Sequence, residues 1–146
     1  MDKKEALAEL RNAKAYLIKW KSQIMAFAWG MPVDPKHIPL VYSDGDYSQW
    51  FYADGQAFEP LPTHHLIAPA IEECFSRFQA LYLAVNSEPE KAGFFGSQAK
   101  LDAKRKEDIE KVAHTVCNAI TNLIDLTNTL EKEAIALSEE AYEKMI

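Results

Sequence analysis

The sequence predicts an all-α protein with a four-helix-bundle-like fold. Apolar residues recur three or four positions apart along three long segments, which is the period of a helix with one buried face. No segment shows the sustained alternation of apolar and polar residues that is typical of a strand. The chain has 146 residues, of which 48% are hydrophobic and 26% are charged. These values predict a single domain over residues 1–146 and exclude disorder as a description of the whole.

The first predicted helix runs from Lys3 to Trp29 and ends before Gly30 and Pro32. Its apolar residues lie at alternating spacings of three and four and so form one stripe. The stripe consists of Leu10, Ala13, Leu17, Trp20, Ile24 and Phe27.

The next segment, residues 31–66, holds five of the seven prolines and shows little periodicity. We expect a long ordered connection with one short helix around Asp46–Tyr52, because connections of this length are uncommon unless they have a role. The segment is rich in aromatic residues, which predicts that it packs against the core. These residues are Tyr42, Tyr47, Trp50, Phe51, Tyr52 and Phe58.

Two further long helices are predicted. One runs from about Ile67 to Val85, and the last runs over about residues 97–142 with a break around 125–128. A long aliphatic stripe with a charged opposite face is typical of a helix that binds a partner or dimerises. We therefore predict a partner surface on the last helix at Leu123, Leu130 and Leu137. The alternative is that this helix only closes the bundle.

Composition and charge narrow the class of function. The net charge is −6, and the one basic run, residues 104–106, is flanked by acidic residues, so we expect no nucleic-acid partner. The longest apolar stretch, residues 24–33, is about half of the ~20 residues that cross a bilayer, so we expect no membrane insertion. The charged first residues lack the apolar core of a signal peptide. A cytoplasmic location is expected, with Cys74 and Cys117 as reduced thiols.

No motif for nucleophilic catalysis, phosphate binding or a carboxylate-bridged metal pair is present, which predicts that the chain is not an enzyme and carries no cofactor. Two histidine settings leave an alternative open. His64 and His65 lie in a proline-rich turn, and His114 and Cys117 lie three positions apart on a predicted helix. Each could supply metal ligands. The plainer interpretation is a surface or capping histidine pair, and a surface histidine beside a buried thiol.

Three motifs are similar to those of the chemoreceptor zinc-binding (CZB) domain family, a helical bundle attached to many bacterial chemoreceptors and diguanylate cyclases. The family carries HxxW on its first helix, CxFGxW on a short helix and HxxxH on the next long helix. Here Trp20 matches the first tryptophan, Tyr47 the aromatic residue, Trp50 the second tryptophan, and Pro69 the proline before the paired histidines. The resemblance covers about residues 10–90.

The zinc ligands of the family are replaced in this chain. In register, Leu17, Gly45, Ala70 and Cys74 occupy the positions of the three histidines and the cysteine. A single sulfur donor cannot build a tetrahedral site that needs four ligands. The resemblance therefore implies the fold and a regulatory context, and it does not imply zinc.

The predicted function is a non-catalytic bacterial signalling module that acts through a protein partner, such as a chemoreceptor or diguanylate cyclase, or through self-association. The alternative is a sensor of a small molecule, of redox state or of a relocated metal. Its pocket would lie near the position of the lost zinc. The pocket residues would be Trp20, Tyr47, Trp50 and Cys74.

Overall fold

A computed structural model describes residues 1–146. It contains five α-helices and no strands, which confirms the all-α, bundle-like prediction. Three helices are long and two are short. They are α1 (Lys3–Ala28), α2 (Asp46–Phe51), α3 (Ile67–Asn86), α4 (Gln98–Ile135) and α5 (Glu139–Met145).

Helix α1 begins with a reciprocal cap. The Asp2 carboxylate accepts a hydrogen bond from the Glu5 backbone N–H at 2.7 Å, and the Glu5 carboxylate accepts one from the Asp2 N–H. The helix ends at Trp29, and Gly30 follows with φ of +77°, a conformation that glycine adopts without strain. The predicted boundaries and the buried stripe of this helix are confirmed.

The connection between α1 and α3 is ordered by short turns. Four 3₁₀ turns, at residues 35–37, 42–44, 54–58 and 64–66, flank the predicted short helix α2. Four of its aromatic residues are buried in the core, while Tyr42 and Tyr52 remain exposed. The buried ones are Tyr47, Trp50, Phe51 and Phe58. The connection therefore packs against the bundle, and its buried aromatic residues fix its position beside α1.

Helix α4 packs along both α1 and α3. It is continuous where a break was predicted, at residues 125–128, and Thr127 in this stretch is buried in the core, where its hydroxyl donates to the Leu123 carbonyl at 2.7 Å. The break lies instead between α4 and α5, where Ser138 caps α5 and the Lys3 ammonium donates to the carbonyls of Ile135 and Leu137.

The aliphatic stripe of α4 is part of the core. Leu123 and Leu130 are fully buried, and Leu137 is half-buried against the same cluster. The prediction that Leu123, Leu130 and Leu137 form a partner surface is therefore wrong for Leu123 and Leu130, which the bundle covers, while Leu137 lies in the turn after α4 and is partly buried. The whole core is one cluster with residues from all five helices, which places α5 on the bundle through the buried ring of Tyr142.

No helix is both long and apolar enough to span a bilayer.

Candidate functional site

The four positions matched to zinc ligands lie in the interior. Leu17 on α1 and Cys74 on α3 are fully buried, and Ala70 lies one turn before Cys74 on the same buried face. Gly45 is the buried N-cap of α2. A Cβ atom at this position would lie 3.0 Å from the Phe75 Cζ atom, so α2 approaches α3 closely here. Apolar side chains thus occupy most of the region in which the resemblance would place a zinc ion.

A cleft remains beside this packed region. It has a volume of about 100 Å³ and lies between α1 and the connection, with α3 and α4 behind it. Leu17 and Gly45 both line it. Buried apolar side chains of three helices, Leu17, Ile71 and Leu123, give it an apolar interior. The cleft therefore adjoins two of the four positions at which the family binds zinc.

Trp20 supplies an aromatic wall with an unused hydrogen-bond donor. Its ring stacks on Phe75, with centroids 4.9 Å apart, and meets Phe78 edge-on. The indole Nε1 is buried and has no hydrogen-bond partner in the protein. Leaving a buried donor unpaired costs about 1–3 kcal/mol, and such groups in a native structure call for an explanation. Trp20 thus brings to the cleft wall a ring whose hydrogen-bond donor is unused within the protein.

The mouth of the cleft carries both signs of charge. The exposed side chains of Lys19 and Lys36 are matched by those of Asp44 and Asp46, with His37 beside them. Inside, Ser48 is a second polar residue that lines the cleft while almost completely buried. A balanced rim gives no net field that would favour an anion or a cation.

The predicted pocket residues divide into two pairs. Trp20 and Tyr47 line the cleft, whereas Trp50 and Cys74 do not. Trp50 packs against Phe58 and Gly55 and does not line the cleft, so its inclusion in the pocket was wrong. The Tyr47 hydroxyl is already bonded to Thr127 at 2.7 Å within the core. Burial raises the pKa of Tyr47 far above its ordinary value, so the phenol stays protonated.

Cys74 does not suit a redox sensor. It is a free thiol with no exposed surface, and burial raises its pKa from 9.0 to about 12. Reactive cysteines need an accessible thiolate. Its burial therefore gives no support to the redox variant of the predicted function at this residue.

The histidines do not assemble a metal site. No three His, Cys, Asp or Glu side chains lie together in an arrangement that could hold a metal ion. His65 and His114 are exposed, and Cys117 lies against the Met25 sulfur at 3.1 Å. The alternative in which these residues join Cys74 around a relocated metal therefore gains no support from their positions.

His64 is buried and its ring stacks on Phe51, with centroids 4.8 Å apart. Its Nε2 atom is buried without a partner. Burial is the largest influence on the pKa of His64 and lowers it below the ordinary value of 6.5. Neighbouring His65 lowers this pKa further. The Glu59 carboxylate and the Gly55 backbone raise it, but they do not cancel the effect of burial. The folded protein therefore favours the neutral imidazole.

This lowered pKa predicts an acid-sensitive fold. As the pH falls below 6.5, the His64 imidazole binds a proton more readily in the unfolded chain than in the folded chain. The free energy of unfolding therefore decreases as the pH falls through this range. We expect His64→Phe, which keeps the ring stack, to reduce the fall in unfolding free energy between about pH 7.5 and about pH 5. Urea denaturation at both pH values measures this. The exposed control His114→Gln should keep the wild-type dependence, and an unchanged dependence in His64→Phe would contradict the assignment.

Sequence reasoning missed much of the cleft. Lys36 and His37 come from a 3₁₀ turn of the connection, and Ser48 and Phe75 lie beside motif residues without being part of the predicted pocket. The one available signal was Gly45, which the motif register placed next to Leu17 in space.

Comparison with models of known protein families, with characterised proteins and with solved structures finds no match.

Proposed function

We propose that this chain is a non-catalytic regulatory module related to the CZB sensory domains, and that it binds a small molecule in the cleft beside the replaced zinc position. The observation that carries the proposal is a cleft lined by Leu17, Gly45 and Trp20, whose ring also holds a buried, unpartnered Nε1–H. Two lines of reasoning meet here, since the family motifs and the cleft point to the same part of the fold.

The lining defines the chemistry of the ligand. Leu17, Ile71 and Leu123 favour an apolar body, and the Trp20 N–H favours a hydrogen-bond acceptor such as a carbonyl oxygen. The balanced charges at the mouth favour an uncharged or zwitterionic molecule over an ion. A dry cavity of about 150 Å³ holds one benzene ring. The cleft, at about 100 Å³, therefore suits a ligand that places part of a ring or a branched chain inside and its remainder at the mouth.

The position of the cleft suits a signalling role. A ligand there would touch α1, the connection that leads to α3, and residues of α3 and α4. It would thus add contacts between elements that already pack together, and a ligand shifts an equilibrium only by binding one arrangement better than another. The output would pass to a protein partner in the cytoplasm, such as a chemoreceptor or diguanylate cyclase, or to a second copy of the chain.

A set of matched probes tests the site. Benzamide and phenylalanine carry an acceptor on an uncharged or zwitterionic molecule, benzoate is an anion with the same ring, and toluene lacks the acceptor. With a dissociation constant of about 1 mM, about 5 mM of a probe stabilises the fold by about 1 kcal/mol. For a chain of this size that raises the melting temperature by about 2–4 °C. We expect benzamide or phenylalanine to produce this rise, with benzoate and toluene well below it.

The matched variants are Trp20→Phe and Trp29→Phe. The first removes the unpaired donor and keeps an aromatic ring, while the second changes an exposed tryptophan that does not line the cleft. Loss of the melting-temperature rise in Trp20→Phe and its retention in Trp29→Phe is expected. Equal stabilisation of both variants, or a rise with toluene as large as with benzamide, would remove the basis of the proposal.

A further inference from the structure

Two adjacent phenylalanines stand fully in solvent. Phe94 and Phe95 are each 97% exposed, and they touch only one another, with ring centroids 5.0 Å apart at 85°. They lie in the segment 87–97 that joins α3 to α4, which we call the diphenylalanine loop. Burying such a side chain is favourable, because it removes a large apolar surface from water. A pair left outside the core is typical of a contact that the isolated chain does not make.

A groove opens at the same end of the bundle. The C-terminal ends of α1 and α3 and the first half of α4 form its walls, and its volume is about 650 Å³. Its apolar lining consists of Ala28, Trp29, Val85, Pro89 and Ile109. Two aromatic rings need roughly 300 Å³, taking the cavity that holds one benzene as the guide. The groove is therefore large enough for the phenylalanine pair, and that pair does not fill it in its own chain.

The wall of the groove is held in place by Arg105. Its guanidinium donates to the Val85 carbonyl and to the Ser87 hydroxyl, each at 3.0 Å, and so ties the end of α3 to α4. The rim carries both signs of charge, with Arg105 and Lys106 beside Asp102 and Glu110. The loop carries Glu88, Glu90 and Lys91, a net charge of −1, against a groove rim whose charges balance. Charge repulsion therefore does not oppose the approach of the loop of one chain to the groove of another.

We propose that two copies of this chain form a dimer in which the diphenylalanine loop of each copy occupies the groove of the other. The loop and the groove lie at the same end of one chain and are complementary in their apolar character. Together they form one patch that can pair with the same patch of a second copy, as a closed two-fold interface requires. Four phenylalanines bury about 600–1,000 Å² of their own surface. The groove walls that cover them lose a similar area, so the total of roughly 1,200–2,000 Å² is that of a stable interface.

This interface is independent of the proposed ligand site. The residues of the groove and the loop are distinct from those that line the cleft. Failure of the dimer would leave the cleft experiment unaffected, and the reverse also holds.

Sedimentation velocity over a concentration series tests the proposal. We expect the wild-type chain to be a dimer at about 100 μM and the combined variant Phe94→Ser with Phe95→Ser to be a monomer, with its dissociation constant raised about 100-fold or more. Because both residues are exposed, far-UV circular dichroism should be unchanged. The control Leu83→Gln alters an exposed leucine that lines no part of the groove, and it should remain a dimer.

Mixing two defective variants identifies the contact itself. Trp29→Glu places a charge in the groove, whereas the double serine variant removes the apolar loop. A homodimer of either variant would carry the defect in both of its loop–groove contacts, so neither variant should dimerise alone. A mixture regains one contact, between the intact loop of the first and the intact groove of the second. We expect a heterodimer from the mixture and monomers from each variant alone. A monomeric wild type, a dimeric double serine variant, open-ended larger assemblies or a mixture that stays monomeric would each overturn the proposal.

Discussion

The combined substitution Leu17→His, Gly45→Cys, Ala70→His and Cys74→His is expected to yield a protein that binds one zinc ion per chain. These positions are the ones that the CZB resemblance assigns to ligands, and the structure buries all four. Three imidazoles and one thiolate complete a tetrahedral site. A structural zinc adds on the order of 10 kcal/mol to folding, so the expected gain is the largest of any change considered. Metal analysis after dialysis and the zinc dependence of thermal unfolding measure it.

The matched control is the pair Leu17→His with Cys74→His alone. It supplies two imidazoles and leaves Gly45 and Ala70 unchanged, so we expect no tight zinc binding. A Cβ atom at position 45 would press on the Phe75 ring, so Phe75→Leu should be carried in both proteins to keep the comparison fair. Tight zinc binding by the pair, or none by the complete set, would contradict the register on which the relation to the family depends.

Leu130→Ala is expected to lower the free energy of unfolding by about 2–5 kcal/mol. Leu130 has no exposed surface and lies in the core cluster where α4 meets the other long helices, so its removal leaves a cavity as well as losing apolar burial. Urea denaturation followed by circular dichroism measures the change as a lower midpoint with an unaltered slope.

Ile135→Ala on the same helix is the control for that prediction. Ile135 is 48% exposed, so its truncation should change stability by no more than about 0.5 kcal/mol. If Leu130→Ala left stability unchanged while altering association, the leucine would be a partner surface after all. The structure would then be wrong about which face α4 buries.

Helix positions could be predicted well from the sequence because burial repeats with the helical period. The stripes of α1 and α3 gave boundaries within a residue or so of those observed. The end of α4 was missed, although its signal was present. Ser138 followed by Glu139 and Glu140 is a helix N-cap with an acidic first turn.

The role of the α4 stripe could not be predicted from periodicity. A spacing of three and four residues shows that one face of a helix is apolar, and it does not show whether a neighbouring helix or a partner covers that face. Leu123 and Leu130 are covered because α1 and α3 both present apolar stripes to α4. That fact depends on how three helices are arranged, which local sequence does not encode.

The cleft could be predicted only in part for a related reason. Tyr47 and Trp50 lie three positions apart on α2 and both are buried, yet only Tyr47 lines the cleft. On so short a helix, the position of the neighbouring chain decides which side chain faces which cavity. Lys36 and His37 come from residues without periodicity, so no pattern could place them at the mouth.

The most direct test of the account is to observe the Trp20 indole N–H by NMR while a stabilising probe such as benzamide is added. The chain has three tryptophans, so three indole resonances report on the cleft, the exposed position 29 and the buried position 50. The account predicts that the Trp20 resonance moves to the position of a hydrogen-bonded donor while the Trp29 and Trp50 resonances stay in place. A probe that stabilises the protein and leaves the Trp20 resonance unmoved would contradict it.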